Sequence, residues 1–318
     1  MASIITPSRV QVHGLTNLGT MGIAIMGGVM ASLAKAKTAA AIDSSSAPKD
    51  TPNVSRFVAC DTWKPAEENV KKALGHYNFD LQTLTNENLK GVQQADIVLL
   101  SCKPYGFKTI LGEDGMREAL KGKIIVSILA GVTQRQISEF LYPEGPDKVE
   151  DACRVVRVMP NTASFVGESM SVIETSDPPL SDAQHKLVEF VFSSIGRVTT
   201  LPPANMDIAT ALCGSGPAFF ALILEAAADG AVAMGMPRAQ AYEMAAQTMR
   251  GTTGLVLNGE HPAVLKDKVS TPGGCTIGGL MSLEKDGVRN AVATAIREAC
   301  VVASRLGGEQ REFVNHRR

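Results

Sequence analysis

Two stretches of the 318-residue chain carry residue types and spacings suited to chemistry. The first is Lys266-Asp267-Lys268-Val269-Ser270-Thr271-Pro272-Gly273-Gly274-Cys275-Thr276-Ile277. A Pro-Gly-Gly turn running into a helix presents several backbone N–H groups together, a nest for a small carboxylate. Thr276 adds a hydroxyl to the same place, although on spacing alone simple helix capping is its commoner role. The second is Gly19-Thr20-Met21-Gly22, which follows a strand-like run and opens a helix. There the free N–H groups and the positive end of the helix dipole suit a dinucleotide pyrophosphate. The usual Gly-x-Gly-x-x-Gly is incomplete, because Asn17 stands where its first glycine belongs; asparagine is the next best residue for a positive φ.

Asp61 closes a second strand-like run, where NAD-binding folds place an acid on the ribose 2′-hydroxyl. It lies 39 residues beyond Gly22, against the usual ~20, and the polar insertion 43–53 (DSSSAPKDTPN) accounts for the excess. Lys64 nearby suits a 2′-phosphate instead, and the sequence leaves both options open. Cys213-Gly214-Ser215-Gly216-Pro217 lacks the lysine of a phosphate loop. It is no nucleophile elbow either, since Pro217 fills the final glycine position. The six cysteines and five histidines form no ligand-spaced cluster, so no metal site is expected and the thiols read as buried and reduced.

These motifs need elements to hold them. Val10–Leu15, Arg56–Cys60, Ile97–Ser101, Ile124–Leu129 and Arg154–Val158 read as strands, and Gly196–Leu201 as a last one. Helical patterns alternate with them at Ala66–Leu74, Gly106–Leu120 and Gln134–Leu141, which implies a parallel sheet covered on both faces. The apolar run Ile23–Ala36 reads as a packed helix despite Gly27 and Gly28. After Pro202-Pro203 the strands stop, and Leu222–Met234, Arg238–Asn258 and Val288–Leu306 are long, Ala-rich and helical in period. The expected fold class is therefore α/β, a Rossmann-like parallel-sheet domain over 1–203 followed by an all-α domain over 204–318. Ala226, Ala227, Ala228, Gly230, Ala231 and Ala233 let helices approach closely, which fits a dimer interface.

A formal net charge of −1 offers nucleic acid no basic surface. No stretch holds the ~20 uninterrupted apolar residues of a membrane span, and the first eleven residues have no signal-peptide core. The expectation is a cytoplasmic protein with neither nucleic-acid nor membrane partner.

Several blocks, in order, resemble the pyrroline-5-carboxylate reductase family. They are ADIVLLSCKP (95–104), VMPNT (158–162), 166–170, GSGPA (214–218), Asp229-Gly230, MGMPR (234–238), His261-Pro262 and DKVSTPGGCTIGGL (267–280), followed by Leu283-Glu284 and Gly287-Val288-Arg289. The resemblance implies a Rossmann-like domain and a helical domain that interlocks with a partner's, giving a homodimer or higher homo-oligomer. It places the active site between the cofactor domain and helical-domain residues, partly from the neighbour. By position it implies that Leu18, Gly19, Thr20 and Met21 wrap the pyrophosphate and that Asn88 meets the adenosine ribose. Ser101, Cys102, Lys103 and Pro104 line the cofactor, with Leu129 and Ala130 near the nicotinamide. Thr271, Gly273, Gly274, Cys275 and Thr276 form the substrate loop, and Lys268 falls where relatives contact the cofactor. The implied cofactor is NADP, with NAD as the second option.

The implied reaction is hydride transfer to a cyclic imino acid, 1-pyrroline-5-carboxylate giving L-proline. An imine nitrogen is basic enough to be protonated near neutral pH, so a hydroxyl that orients it and relays a proton through water suffices, and Thr276 is the candidate. Two departures, Asn17 and the polar Gln11 and His13 in the first strand, motivate alternatives: a paralogue reducing a substituted pyrroline or a six-membered ring, or a catalytically inactive member.

Overall fold

β-Branched and apolar residues cluster in short runs between longer helical segments, and the computed structural model turns these runs into one sheet. It describes residues 10–15, 19–42, 52 and 54–306, with the backbone alone for 10–15 and 55. The strands are β1 (Val10–Leu15), β2 (Val54–Asp61), β3 (Asp80–Thr85), β4 (Ile97–Leu100), β5 (Ile124–Ser127), β6 (Arg154–Met159), β7 (Ser169–Glu174) and β8 (Gly196–Leu201). Their order across the sheet is β3-β2-β1-β4-β5-β6-β7-β8. The first six are mutually parallel, in the 3-2-1-4-5-6 order of doubly wound dinucleotide-binding folds. β7 turns antiparallel to β6 and carries β8 parallel to itself.

Helices cover both faces. α1 (Thr20–Ile42), α2 (Pro65–Leu74) and α7 (Asp182–Ser193) contribute Ile25, Met26, Val29, Val70, Leu74, Val188 and Phe192 to a core with Phe57, Leu99, Val126 and Val156. On the other face α3 (Asn88–Gln93), α4 (Phe107–Leu111), α5 (Met116–Ala119) and α6 (Gln134–Leu141) bury Val92, Phe107, Met116 and Ile137 against Val58, Val98 and Ile125. The single helix expected over 106–120 is two short ones, because a turn around Gly112 and Gly115 (φ +83°) separates them. Gly28 shows why α1 tolerates its glycines. A Cβ there would lie 2.3 Å from Ile195 Cγ2 and 3.0 Å from the Ser194 carbonyl oxygen. The helix thus seats against the turn after α7 only without a side chain.

The remaining helices are α8 (Met206–Ala209), α9 (Gly216–Ala233), α10 (Arg238–Leu257), α11 (Pro262–Val269), α12 (Cys275–Lys285) and α13 (Val288–Arg305). The chain divides into two compact units, 1–214 with 300–318, and 215–299. In the second unit, which is helical throughout, α9 packs on α10. Its helices leave much apolar surface in solvent, including Phe220, Leu222, Met234, Met244, Leu257, Val269 and Met281. Among the described residues, one helical run, 203–233, is long and apolar enough to cross a membrane by length and composition, with a mean hydropathy of 1.6.

Candidate active site

The parallel strands all end on one edge of the sheet, and the strand order reverses between β1 and β4, where open α/β sheets form their ligand crevice. Most of the expected cofactor residues emerge there. Gly19 begins α1, its carbonyl accepting the Ile23 N–H at 3.3 Å, with Thr20 exposed and Met21 half-buried behind it. Leu18 and Asn17 lie outside the described residues. Ser101, Cys102, Lys103 and Pro104 follow β4. Lys103 is exposed and opens a tight turn closed by its carbonyl and the Gly106 N–H at 2.9 Å. Cys102 is buried, which pushes its thiol up to about 11. Leu129 and Ala130 follow β5. Leu129 is buried and its N–H donates to Ser127 Oγ at 3.4 Å, while Gly131 takes φ +76° to turn the chain. Asn88 starts α3 just beyond β3.

Two atoms on this edge mark a missing partner. Asn88 Oδ1 and Ser101 Oγ are both buried, and neither makes a hydrogen bond. A buried polar atom without a partner is costly and uncommon in a folded protein. A carbonyl oxygen can accept from a ribose hydroxyl and a serine hydroxyl can donate to a phosphate oxygen, so these groups fit a dinucleotide.

Asp61, at the end of β2, does not stand open. Its Oδ1 accepts the Trp63 N–H at 2.9 Å, its main-chain oxygen accepts the Asn86 N–H at 2.9 Å, and the residue is buried. Trp63 itself is exposed at this edge, as is Lys64. Nothing in the sequence singles out Trp63, since a single aromatic residue in a loop gives no periodic signal.

The Pro-Gly-Gly segment lies in the helical unit and joins α11 to α12. Gly273 takes φ +68°, the left-handed region open to glycine, and the Gly274 N–H bonds the Thr271 carbonyl at 3.1 Å. A Cβ on Gly274 would lie 2.5 Å from Thr271 Oγ1 and 3.3 Å from the Thr271 carbonyl oxygen, so a side chain there would require the threonine hydroxyl to turn away. Gly274 is the N-cap of α12 and supplies no side-chain cap for the first-turn N–H groups. Thr276 sits inside that first turn, half-buried, and is not the capping residue; Thr271 and Cys275 are exposed. Lys268 is held by Glu260, its Nζ 2.8 Å from both carboxylate oxygens.

This strand order, with an orphaned hydroxyl on Ser101 after β4 and an orphaned carbonyl oxygen on Asn88 after β3, is the framework of a nicotinamide-dependent oxidoreductase. Residues 18–131 match the family described as NADP oxidoreductase, coenzyme F420-dependent. Residues 203–306 match the one described as pyrroline-5-carboxylate reductase dimerisation. The pyrroline-5-carboxylate reductase of Lophium arboricola is 56% identical over 294 residues, covering 91% of each chain. That of Neurospora crassa is 49% identical over 313 residues, covering 93% of each. Among solved structures, Plasmodium falciparum pyrroline carboxylate reductase with NADP bound superposes with a TM-score of 0.74 at 26% identity, covering 94% of this chain and 98% of that one. The chain belongs to the pyrroline-5-carboxylate reductase family.

Proposed function

We propose that the protein reduces 1-pyrroline-5-carboxylate to L-proline in proline biosynthesis, with NADPH as reductant and NADH as the second option. The observation that carries this reading is the 56% identity to a reductase of that name over 91% of both chains. The orphaned Asn88 Oδ1 and Ser101 Oγ support the cofactor half independently.

The division of labour follows the sequence. Residues 1–203 hold the cofactor, with Leu18, Gly19, Thr20 and Met21 at the pyrophosphate and Asn88 at the adenosine ribose. Ser101, Cys102, Lys103 and Pro104 line its length, and Leu129 and Ala130 flank the nicotinamide. Residues 204–318 hold the substrate and the partner subunit. Held by residues 1–203, the reduced nicotinamide would supply a hydride to the imine carbon. The N–H groups of Gly273, Cys275 and Thr276 grip the ring carboxylate and fix its orientation, a positioning contribution, while that of Gly274 closes the bend onto the Thr271 carbonyl. Thr271 and Cys275 flank that grip. The Thr276 hydroxyl orients the ring nitrogen and passes it a proton through water, so the C=N bond becomes CH–NH.

The helical unit also supports a homodimer or higher homo-oligomer. α9 is apolar around most of its surface, yet only Gly216 and Ala228 are buried along it. Such a helix needs a partner surface, and the dimerisation family matched over 203–306 favours a second copy over a bilayer. All six cysteines are unpaired, which accords with a cytoplasmic, reducing setting.

Steady-state kinetics with both reduced cofactors, on pyrroline-5-carboxylate beside a methylated and a six-membered imino acid, test the assignment. The plain five-membered ring should have the highest kcat/KM, and preference for either analogue refutes it. Thr276→Ala should lower kcat by roughly 10²-fold or more, within the range of general acid–base contributions, with the cofactor Kd unchanged. Turnover equal to the parent's would remove Thr276 from the mechanism.

A further inference from the structure

Trp63 is the only tryptophan in the chain, and it is 61% exposed at the carboxyl edge of the sheet. Large aromatic residues are mostly buried in folded proteins, so an indole left in solvent beside a ligand crevice calls for an occupant. Its loop is firmly built. The Trp63 N–H donates to Asp61 Oδ1 at 2.9 Å, and its carbonyl accepts the Ala66 N–H at 2.9 Å as α2 begins. The loop after β3 is tied to the same point, because the Asn86 N–H bonds the Asp61 carbonyl at 2.9 Å. Two residues further on comes Asn88, with its buried and unpartnered Oδ1. An exposed aromatic face and an orphaned acceptor therefore stand on adjoining, hydrogen-bonded loops.

The charges of this corner are distributed unevenly. Asp61 is turned under the loop by its bond to Trp63. Glu67 accepts the hydroxyl of Thr83 at 3.1 Å and that of Thr85, bonds that hold its carboxyl below the usual range. Lys64 stands exposed beside Trp63. Asp61 and Glu67 are thus engaged by protein donors, whereas the Lys64 side chain is exposed.

We propose that Trp63 is the platform on which the adenine of the dinucleotide stacks, with Lys64 contacting the 2′-phosphate. An indole face attracts a purine ring whatever its hydrogen-bonding pattern, and Asn88 Oδ1 accepts a ribose hydroxyl on the adjoining loop. The arrangement answers the choice left open at Asp61 and Lys64: the acid shapes the turn and the lysine reads the phosphate. This inference rests on the proposed nicotinamide dependence.

The full-length protein provides its own probe, since all tryptophan fluorescence comes from Trp63. Titration with 2′,5′-ADP, 5′-ADP and nicotinamide mononucleotide separates the two ends of the cofactor, and none of these absorbs where indole emits. The two adenine fragments should quench, the nicotinamide fragment should not, and 2′,5′-ADP should bind more tightly than 5′-ADP. By calorimetry Trp63→Ala should weaken NADPH binding by roughly 5- to 100-fold and Trp63→Phe by much less. Lys64→Ala should abolish the preference for 2′,5′-ADP. Quenching by the nicotinamide fragment alone, or an unchanged Kd in Trp63→Ala, overturns the platform; equal affinity of the parent for both adenine fragments overturns the role of Lys64. If the parent protein bound no NADPH by calorimetry, the oxidoreductase reading itself would fail, which is a separate result.

Discussion

Arg157, in the middle of β6, has a side chain with no exposed surface and faces two carboxylates. Its Nη2 lies 3.3 Å from Asp207 Oδ1 on α8, and its Nη1 lies 3.6 Å from Glu174 Oε2 at the end of β7. The carboxylate side chains are 4% and 5% exposed. The cluster ties the parallel part of the sheet to its antiparallel end and to the helix that leads into the helical unit. Coulomb energy falls as 1/r, so distances of 3.3 and 3.6 Å make the two pairs nearly equal. Replacing a buried ion pair entirely by apolar groups is often neutral, but removing one partner strands the other and costs about 3–5 kcal/mol. Arg157→Met takes the shared cation from two carboxylates at once, which puts it at the upper end of that range.

Asp207→Asn keeps the shape and leaves Arg157 facing Glu174, so it should cost about half as much. The double variant Arg157→Met/Asp207→Asn should cost less than the two single changes together, by about 1–3 kcal/mol, as expected for groups in direct contact. Urea unfolding at one fixed protein concentration reads these differences as shifts in midpoint, since self-association would otherwise move the midpoint as well. If Arg157→Met stayed within about 1 kcal/mol of the parent, or the two changes were additive, the cluster would be an incidental contact and not a joint between β6, β7 and α8.

Ser101→Ala and Asn88→Ala should leave the midpoint of the apo protein unchanged or slightly raised, because each removes a buried polar atom that has no partner. Both should nevertheless weaken NADPH binding in calorimetry; a loss of apo stability with unaltered Kd would contradict the assignment of these atoms to the cofactor. Cysteine reactivity should split sharply. Burial pushes the Cys60 thiol up to about 12 and Cys153 up to about 11, so at pH 8 the Cys153 thiolate is about one part in a thousand and Cys60 is lower still. Mass spectrometry after brief alkylation of the native protein at pH 8 should find Cys275, the exposed cysteine, modified first. Prior labelling of Cys60 or Cys153 would show that the core opens more readily than its packing implies.

The parallel half of the sheet was legible because it is buried on both faces. Strands such as Ile97–Leu100 and Ile124–Ser127 are buried at every position, so they appear in the sequence as unbroken apolar runs. The two strands that escaped are those whose surroundings break that rule. β3 (DLQTLT) is an edge strand with one fully buried residue, and its threonines serve Glu67 of α2, not a core. β7 contains Ser169 and Ser171, polar yet buried. The Ser169 hydroxyl accepts the Asn161 N–H at 3.1 Å, a bond from the start of β7 back to the segment after β6 that no periodicity reveals.

The residues expected at the cofactor edge are local in the sequence for a related reason. Glycines at a helix start, and the small residues after β4, are forced by backbone approach and leave a local trace. What the proposed adenosine site needs leaves none. Asp61, by its position after β2, resembles a ribose ligand, and only the placement of Trp63 two residues later shows its carboxylate bonded to its own loop. The same logic governs α9. Its composition reads as a buried helix, yet the single chain buries two of its residues. A sequence records that a surface must be covered, while the covering surface belongs to the next level of assembly. On the proposed function, the apolar residues of α9 and the unpartnered atoms at Asn88 and Ser101 are the same kind of signal: groups whose cost in the isolated chain would be recovered when a second molecule, protein in one case and dinucleotide in the other, covers them.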